Sequence, residues 1–236
     1  MKLKDLEVRR LRLEFPQVIP AKPGHEVYLH ALAGSGYASG RRLLERADGV
    51  WEDPAHGWLY PGEEAITIEP LGALDLVVVS APVPERKIES SICVSPRRHK
   101  IGARHHERVV WEILGADGPS QRIRFGETYN ARGGWSSWPG HSFDHQPELA
   151  PQFEEVFLCF TRPADGQALI RLNGQYQDGL DVNGSRAIKN GDMFHVPLGE
   201  HPIVAYPETE LMYVWAYLSP VDKHYGVWAE ERGSYA

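Results

Sequence analysis

Imidazoles and carboxylates gather at two places in the C-terminal half of the chain. The first is Trp135-Ser136-Ser137-Trp138-Pro139-Gly140-His141-Ser142-Phe143-Asp144-His145, with Glu155 ten residues further on, opening the apolar run Val156–Phe160. The second is Gly191-Asp192-Met193-Phe194-His195-Val196-Pro197-Leu198-Gly199-Glu200-His201. Imidazoles and one carboxylate pointing inward from different strands hold a divalent transition metal. Such a donor set suits zinc, iron, manganese, cobalt or nickel and does not choose among them. Strand positions fix ligand geometry, and an open coordination position admits water or substrate. His195 lies between Phe194 and Val196 and reads as a packed or surface residue. His105-His106 beside Arg104 and Arg108 reads as a solvated basic turn.

Ligands held this way need strands, because alternate residues of a strand face one side. The sequence supplies them. Strand-length runs recur at Val27–Leu32, Ala65–Ile68, Leu74–Ser80, Arg122–Tyr129, Val156–Phe160, Ala168–Leu172, Met193–Val196, Pro202–Ala205 and Leu211–Tyr217. They are rich in Val, Ile, Tyr and Phe. Glu107–Leu114 fits a strand or a short helix, and no stretch keeps a long 3.6-residue period. The 23 glycines and 18 prolines fit a turn-rich β protein better than a helical bundle. The predicted fold class is all-β.

An internal repeat organises these strands. Residues 62–77 match 199–214 at six of sixteen positions without a gap: Gly62/Gly199, Glu63/Glu200, Ile66/Ile203, Pro70/Pro207, Leu74/Leu211 and Val77/Val214. Each copy ends in a strand followed by Ala-Pro or Ser-Pro, at Ala81-Pro82 and Ser219-Pro220. The duplication predicts two β modules in one chain, 1–105 and 106–236. Where the second copy has His201 the first has Glu64, so the metal site is expected in the C-terminal module and absent from the N-terminal one.

Composition narrows the function. The 236 residues carry a net charge of -7, which argues against nucleic acid as a partner. The longest apolar run, near Leu74–Pro82, is too short to span a bilayer, so no membrane role is expected. The charged start Met1–Phe15 has no secretion-signal pattern. Cys93 and Cys159 form no metal or redox motif, and a cytoplasmic protein with free thiols is the expectation.

The segment Gly191…Pro197-x-Gly199-x-His201 resembles the second cupin motif, and His141 through Glu155 a stretched first one. A wider pattern is more specific. Phe125-Gly126-Glu127-Thr128-Tyr129, Gly133-Gly134-Trp135-Ser136-Ser137-Trp138-Pro139, Glu154-Glu155-Val156 and Gly191-Asp192 through His201-Pro202-Ile203-Val204 are similar to the 5-deoxy-glucuronate isomerases of myo-inositol catabolism. Those enzymes are bicupins, two double-stranded β-helix (jelly-roll) modules, related to the uronate isomerases of pectin breakdown. The likeness runs from about residue 25 to 228 and includes Arg41 to Tyr60, Pro61-Gly62 and Val79-Ser80-Ala81-Pro82.

The resemblance implies one divalent metal, zinc first, and an aldose–ketose isomerisation of a uronate-like sugar. It places ligands at His141, Glu155 and His201. The family's first motif reads His-x-His-Asp; here Phe143 stands at the second histidine, and His145, two residues on, has the same strand parity. Phe157, Leu158 and Cys159 replace hydroxylated tyrosines, and Phe160 replaces an arginine. Glu127 and Arg171 fall at matched positions. Glu127 is a candidate proton carrier alongside Glu155, and Arg171 a candidate clamp for the substrate carboxylate. Tyr129 and Tyr213 are candidate sugar contacts. Two other readings compete: a bicupin that binds a sugar acid without turnover, and a metal-dependent cupin dioxygenase. The expected partner is a small sugar acid, and a homodimer through edge strands is compatible with such modules.

Overall fold

Short strands, some alternating apolar and polar side chains and others buried on both faces, build the computed structural model. It describes residues 1–85, 87–137, 154–176 and 178–219, with Leu44 and Glu45 described by backbone alone. The first eight strands are β1 (Glu7–Leu13), β2 (Gln17–Ile19), β3 (His25–Ala38), β4 (Arg41–Arg46), β5 (Gly57–Pro61), β6 (Ile66–Pro70), β7 (Leu74–Pro82) and β8 (Ile92–Val94). Next come β9 (Arg97–Ile101), β10 (Arg108–Leu114), β11 (Ile123–Asn130), β12 (Trp135–Ser136) and β13 (Glu155–Arg162). The last are β14 (Gln167–Gln175), β15 (Asp181–Lys189), β16 (Met193–Val196), β17 (Leu198–Glu200), β18 (Ile203–Ala205) and β19 (Glu210–Leu218). The all-β expectation holds, and the ambiguous stretch Glu107–Leu114 is a strand. The strands missed in the sequence, such as β1 and β15, alternate charged residues with few apolar ones and lie at sheet edges.

The chain forms two compact units, Met1–Arg97 with Glu112–Phe125, and Arg98–Trp111 with Gly126–Ala236. A single cut between 105 and 106 was expected; the division is interleaved, passing through β10 and β11. Glu26 supplies a reason. Its carboxylate accepts from Ser120 Oγ (2.6 Å) and from the backbone N–H groups of Gln121 (3.0 Å), Arg122 (2.9 Å) and Ile123 (2.9 Å). Four donors on one buried carboxylate fasten residues 120–123 to the first unit.

In the first unit β7 is paired on one side with β1 and on the other with β3. Both its faces are covered, so Leu74–Pro82 reads as a nearly continuous apolar run. Val27, Leu29 and Ala31 of β3 meet Leu74, Leu76 and Val78 of β7 in the core, with Ile66, Ile68 and Tyr60. The second half of β3 leaves β7 at a register shift between Ala31 and Ala33 and pairs instead with β4 and β6.

The second unit repeats this plan. β19 lies between β13 and β11 in a sheet of order β16-β13-β19-β11-β10-β9. A second sheet runs β12-β18-β14-β15, with β17 on β14. Here β13 and β14 are separate strands, where the first unit uses one long bent strand. Phe157 and Cys159 of β13 and Tyr213 and Trp215 of β19 face a core completed by Ile170, Phe194, Val196 and Ile203. Val156, Leu158 and Phe160 face the other way and are buried as well.

Candidate metal centre

Glu155 opens β13, opposite Val196 on one side and Tyr217 on the other. It shares strand parity with Phe157 and Cys159, which both belong to the core cluster, so its side chain enters the interior of the second unit. Glu154, one residue earlier, has the opposite parity. Glu155 is 6% exposed, and its Oε2 has no hydrogen-bond partner among the described residues. Burial pushes its carboxyl pKa up to about 8.

His201 lies in the turn between β17 and β18 and is 3% exposed. Gly199 shapes that turn. Its φ is 131°, and a Cβ there would stand 2.4 Å from the Asn173 carbonyl oxygen. Only glycine permits this close pairing with β14. The Gly199 carbonyl accepts from His201 Nδ1 at 3.0 Å. A carbonyl can only accept, so Nδ1 carries the ring proton of the neutral imidazole and Nε2 is its acceptor nitrogen. Nε2 is 3.9 Å from Glu155 Oε2. That is too long for a hydrogen bond. Burial lowers the His201 pKa to about 4, partly offset by the Gly199 bond. Both groups thus favour their neutral forms at neutral pH, and they are not an ion pair.

A buried carboxyl oxygen without a hydrogen-bond partner among the described residues, 3.9 Å from the acceptor nitrogen of an imidazole, is a pair that a cation between them would satisfy. The backbone-oriented imidazole is the usual arrangement of a histidine ligand. The two residues therefore fit a metal. Among the described residues no group of three or more His, Cys, Asp or Glu side chains converges on one point. His141, His145 and Phe143, the rest of the expected first motif, lie outside the described residues, as does Trp138.

Of the other sequence candidates, the structure brings Tyr213 to this interior. Its ring packs on Phe157 with centroids 4.6 Å apart, and Phe157 packs edge-on against His201 at 5.6 Å. Its hydroxyl shares a 3.0 Å hydrogen bond with Ser136 Oγ. Phe157, at a position expected to carry a hydroxyl, is an apolar wall between His201 and Tyr213.

Three candidates are placed elsewhere. Arg171 is exposed on β14, and its Nη2 donates to Asn183 Oδ1 at 2.5 Å across β15. Ile170 and Leu172 occupy the core face, so alternation turns Arg171 outward. Glu127 is buried, but on the wrong face of β11. Thr128 accepts from Trp215 Nε1 (3.1 Å), and a Cβ on Gly126 would strike the Trp215 ring at 2.2 Å. Those contacts put the even-numbered residues of β11 inward and Glu127 outward. Tyr129 follows it, donating its hydroxyl to Glu127 Oε2 at 2.8 Å. His195 packs on Tyr176, ring centroids 4.6 Å apart, in agreement with a packing role. Sequence reasoning missed Asn130, Ser136 and Arg108. Arg108 was read with the basic turn but is 4% exposed on the inward face of β10. Its parity with Val110 was the signal available, and the helix–strand ambiguity of that stretch hid it.

Comparison with known proteins agrees with this architecture. Residues 6–231 match the model of the KduI/IolB family. A 5-deoxy-glucuronate isomerase of Geobacillus thermodenitrificans is 30% identical over 182 residues, covering 75% of this chain and 64% of that protein. Its counterpart in Geobacillus kaustophilus is 30% identical over 183 residues, covering 75% of this chain and 63% of that protein. The matched part of the chain thus spans somewhat under two thirds of these relatives. Among solved structures, an IolB-like protein of Salmonella typhimurium LT2 superposes with a TM-score of 0.79 at 24% identity, over 96% of this chain and 87% of that one. The oxalate decarboxylase of Lactobacillus farciminis gives a TM-score of 0.61 at 12% identity, over 92% of this chain and 78% of that one, and likewise speaks for the fold alone. Among the described residues no helix is long and apolar enough to cross a membrane. With a family match running almost from end to end over a bicupin fold, the chain belongs to the KduI/IolB family.

Proposed function

We propose that this chain is an intramolecular oxidoreductase, a metal-dependent aldose–ketose isomerase of a uronate-like sugar. The observation that carries the reading is the buried Glu155 Oε2, without a hydrogen-bond partner among the described residues and 3.9 Å from His201 Nε2. The names of the relatives, 5-deoxy-glucuronate isomerases, support the reaction class. Glu155 and His201, with His141 and His145, would hold one divalent transition metal, zinc first, with manganese, iron, cobalt and nickel compatible. When bound, such an ion polarises the carbonyl and the neighbouring hydroxyl of an open-chain sugar.

The rest falls to the protein. In an aldose–ketose isomerisation one hydrogen moves between adjacent carbons and a hydroxyl proton moves to the former carbonyl oxygen, through an enediol. A carboxylate oxygen of Glu155 is the proton carrier of this proposal, since Glu127 faces away. The Tyr213 hydroxyl, oriented by Ser136, positions a sugar hydroxyl. Phe157 and Trp215 exclude water from the interior. The test is metal content and turnover of a uronate by the wild type, His201→Ala, Glu155→Gln and Arg171→Ala. Loss of metal and turnover in the first two, with Arg171→Ala unaffected, is expected. Full turnover in both ligand variants would sink the proposal.

Phe143 favours a second reading, a bicupin that binds a sugar acid and does not turn it over. Calorimetry that finds sugar-acid binding, with no product formed at any metal loading, would select it.

A further inference from the structure

The interior of the second unit holds a hydrogen-bonded cluster that the candidate metal pair does not use. Asn130 ends β11 with the inward parity of Gly126 and Thr128. Ser136 ends β12 opposite Ile203 of β18, a member of the core, and so stands in register two residues from His201. Tyr213 comes from β19. Asn130 Nδ2 donates to Ser136 Oγ at 2.9 Å, and Ser136 Oγ shares a 3.0 Å bond with the Tyr213 hydroxyl. The cluster thus joins three strands by measured bonds. Asn130 is 3% exposed, yet its Oδ1 has no hydrogen-bond partner among the described residues. With Nδ2 tied to Ser136 the amide cannot turn over without losing that bond, so Oδ1 is a fixed acceptor. A buried amide oxygen of this kind calls for a donor.

We propose that Asn130 is a specificity-determining residue, its Oδ1 accepting a hydrogen bond from one hydroxyl of a bound sugar acid. The inference rests on the isomerase reading for its substrate class and adds a selective contact to it. Phe157 connects the cluster to the metal pair: its ring centroid lies 5.6 Å from that of His201 and 4.6 Å from that of Tyr213. A sugar chain that crosses this ring meets the metal pair on one side and the cluster on the other. The two exposed ends of the cluster differ in chemistry. Burial raises the Tyr213 pKa, so its hydroxyl keeps its proton at neutral pH and both donates and accepts. Asn130 Oδ1 only accepts. The ligand group that meets it must therefore be a donor. A hydroxyl satisfies it, whereas a methylene at the same place leaves a buried oxygen unpaired, and that penalty is the source of selection. An ordered water would satisfy Oδ1 as well, but it gives no discrimination between sugars that differ by one hydroxyl.

The test is calorimetric titration of the metal-loaded protein with D-glucuronate and with its monodeoxy forms, each lacking one hydroxyl between the carbonyl and the carboxylate. Wild type, Asn130→Leu and Asn130→Asp are compared, with metal content and far-UV circular dichroism recorded for each. The wild type is expected to bind one deoxy form about 10-fold more weakly than D-glucuronate, the usual scale for one hydrogen bond left unmade in a buried site. Asn130→Leu, of similar size and without the acceptor, weakens D-glucuronate by about the same factor and leaves that deoxy form unchanged, so the preference vanishes. A preference that comes from the metal persists in Asn130→Leu. Asn130→Asp keeps an acceptor and keeps the preference, while its charge weakens every uronate. Preferences all within about twofold of wild type in folded Asn130→Leu overturn the proposal. So does a wild type that binds all the forms alike, the result an ordered water gives, or binds none. Should Asn130→Leu not fold, Asn130→Asp decides: affinities all within about twofold of wild type show that no uronate touches the residue. An Asn130-dependent preference without turnover would sink the isomerase reading and keep the subsite. Turnover with every preference unmoved in Asn130→Leu would do the reverse.

Discussion

In the first unit Val27 sits between Tyr60 of β5 and Ser80 of β7; in the second, Glu155 sits between Val196 of β16 and Tyr217 of β19. The offset of the sequence repeat equates Ser80 with Tyr217, so valine and glutamate occupy matching places in one scaffold. The same offset equates Glu64 with His201. Glu64 is exposed on its turn, whereas His201 is buried and oriented by the Gly199 carbonyl. At the matching place the first unit has hydrocarbon from β3 and β7, though it buries Glu26, His30 and Arg46 as well. At that place the second unit takes on the carboxylate of Glu155 and the imidazole of His201, which resist desolvation. Both units bury polar groups; in the second, Glu155 Oε2 and Asn130 Oδ1 have no hydrogen-bond partner among the described residues.

The largest effect should come from removing the imidazole that separates the two units. His201→Ala should lower metal affinity by more than the roughly 100-fold that loss of a mere supporting partner costs. Glu64→His in the first unit should add no second equivalent of metal, because Val27 offers no donor there. Metal analysis by mass spectrometry checks both, and a second equivalent would break the comparison.

Gly126→Val comes next. A Cβ at Gly126 would meet Trp215 Cζ2 at 2.2 Å, so β11 and β19 must part, at a cost of about 3 kcal/mol in urea unfolding. Gly184→Ala, with nothing within 4 Å of its Cβ, is the control and should shift stability by less than about 0.5 kcal/mol.

The third prediction concerns the metal-free protein. Glu155 is raised from 4.5 to about 8, so its stabilising contribution is full below pH 4.5 and is lost as pH rises through about 8. His201 is lowered from 6.5 to about 4, so its contribution is full above pH 6.5 and is lost as pH falls through about 4. Between pH 4.5 and 6.5 the two slopes oppose each other, and Tm should be nearly level. Above 6.5 Tm should fall, and Glu155→Gln should remove that fall. Calorimetry across pH on chelator-treated protein decides it; an alkaline decline undiminished in Glu155→Gln would assign the effect to another group. Metal affinity should rise over the same alkaline range, since binding expels the Glu155 proton.

Smaller effects separate the first unit's fastening from the second unit's chemistry. Glu26→Gln turns an amide N–H₂ toward donors that need an acceptor and should cost about 2 kcal/mol, with metal content unchanged. Arg171→Ala should change neither stability, beyond about 0.5 kcal/mol, nor uronate KM, because the side chain is exposed. A KM effect there would restore Arg171 as the clamp.

The strand runs and the 137-residue repeat with its Glu64/His201 asymmetry were legible in the sequence, and the family resemblance placed Glu155 and His201 in one site. The runs and the repeat are local properties: strand-length apolar patterning and turn glycines and prolines. Tertiary structure alone decided which side of each strand is the inside. Arg171 and Glu127 lie in strands that were correctly anticipated, yet a one-residue change of parity sends a side chain to the opposite face, and parity is set by pairing with distant strands. Arg108 was masked by the basic turn before it, and only the burial of Val110 beside it shows the guanidinium turning inward. The bond of Ser136 to Tyr213 spans 77 residues. No spacing rule brings such residues together; closure of the barrel does.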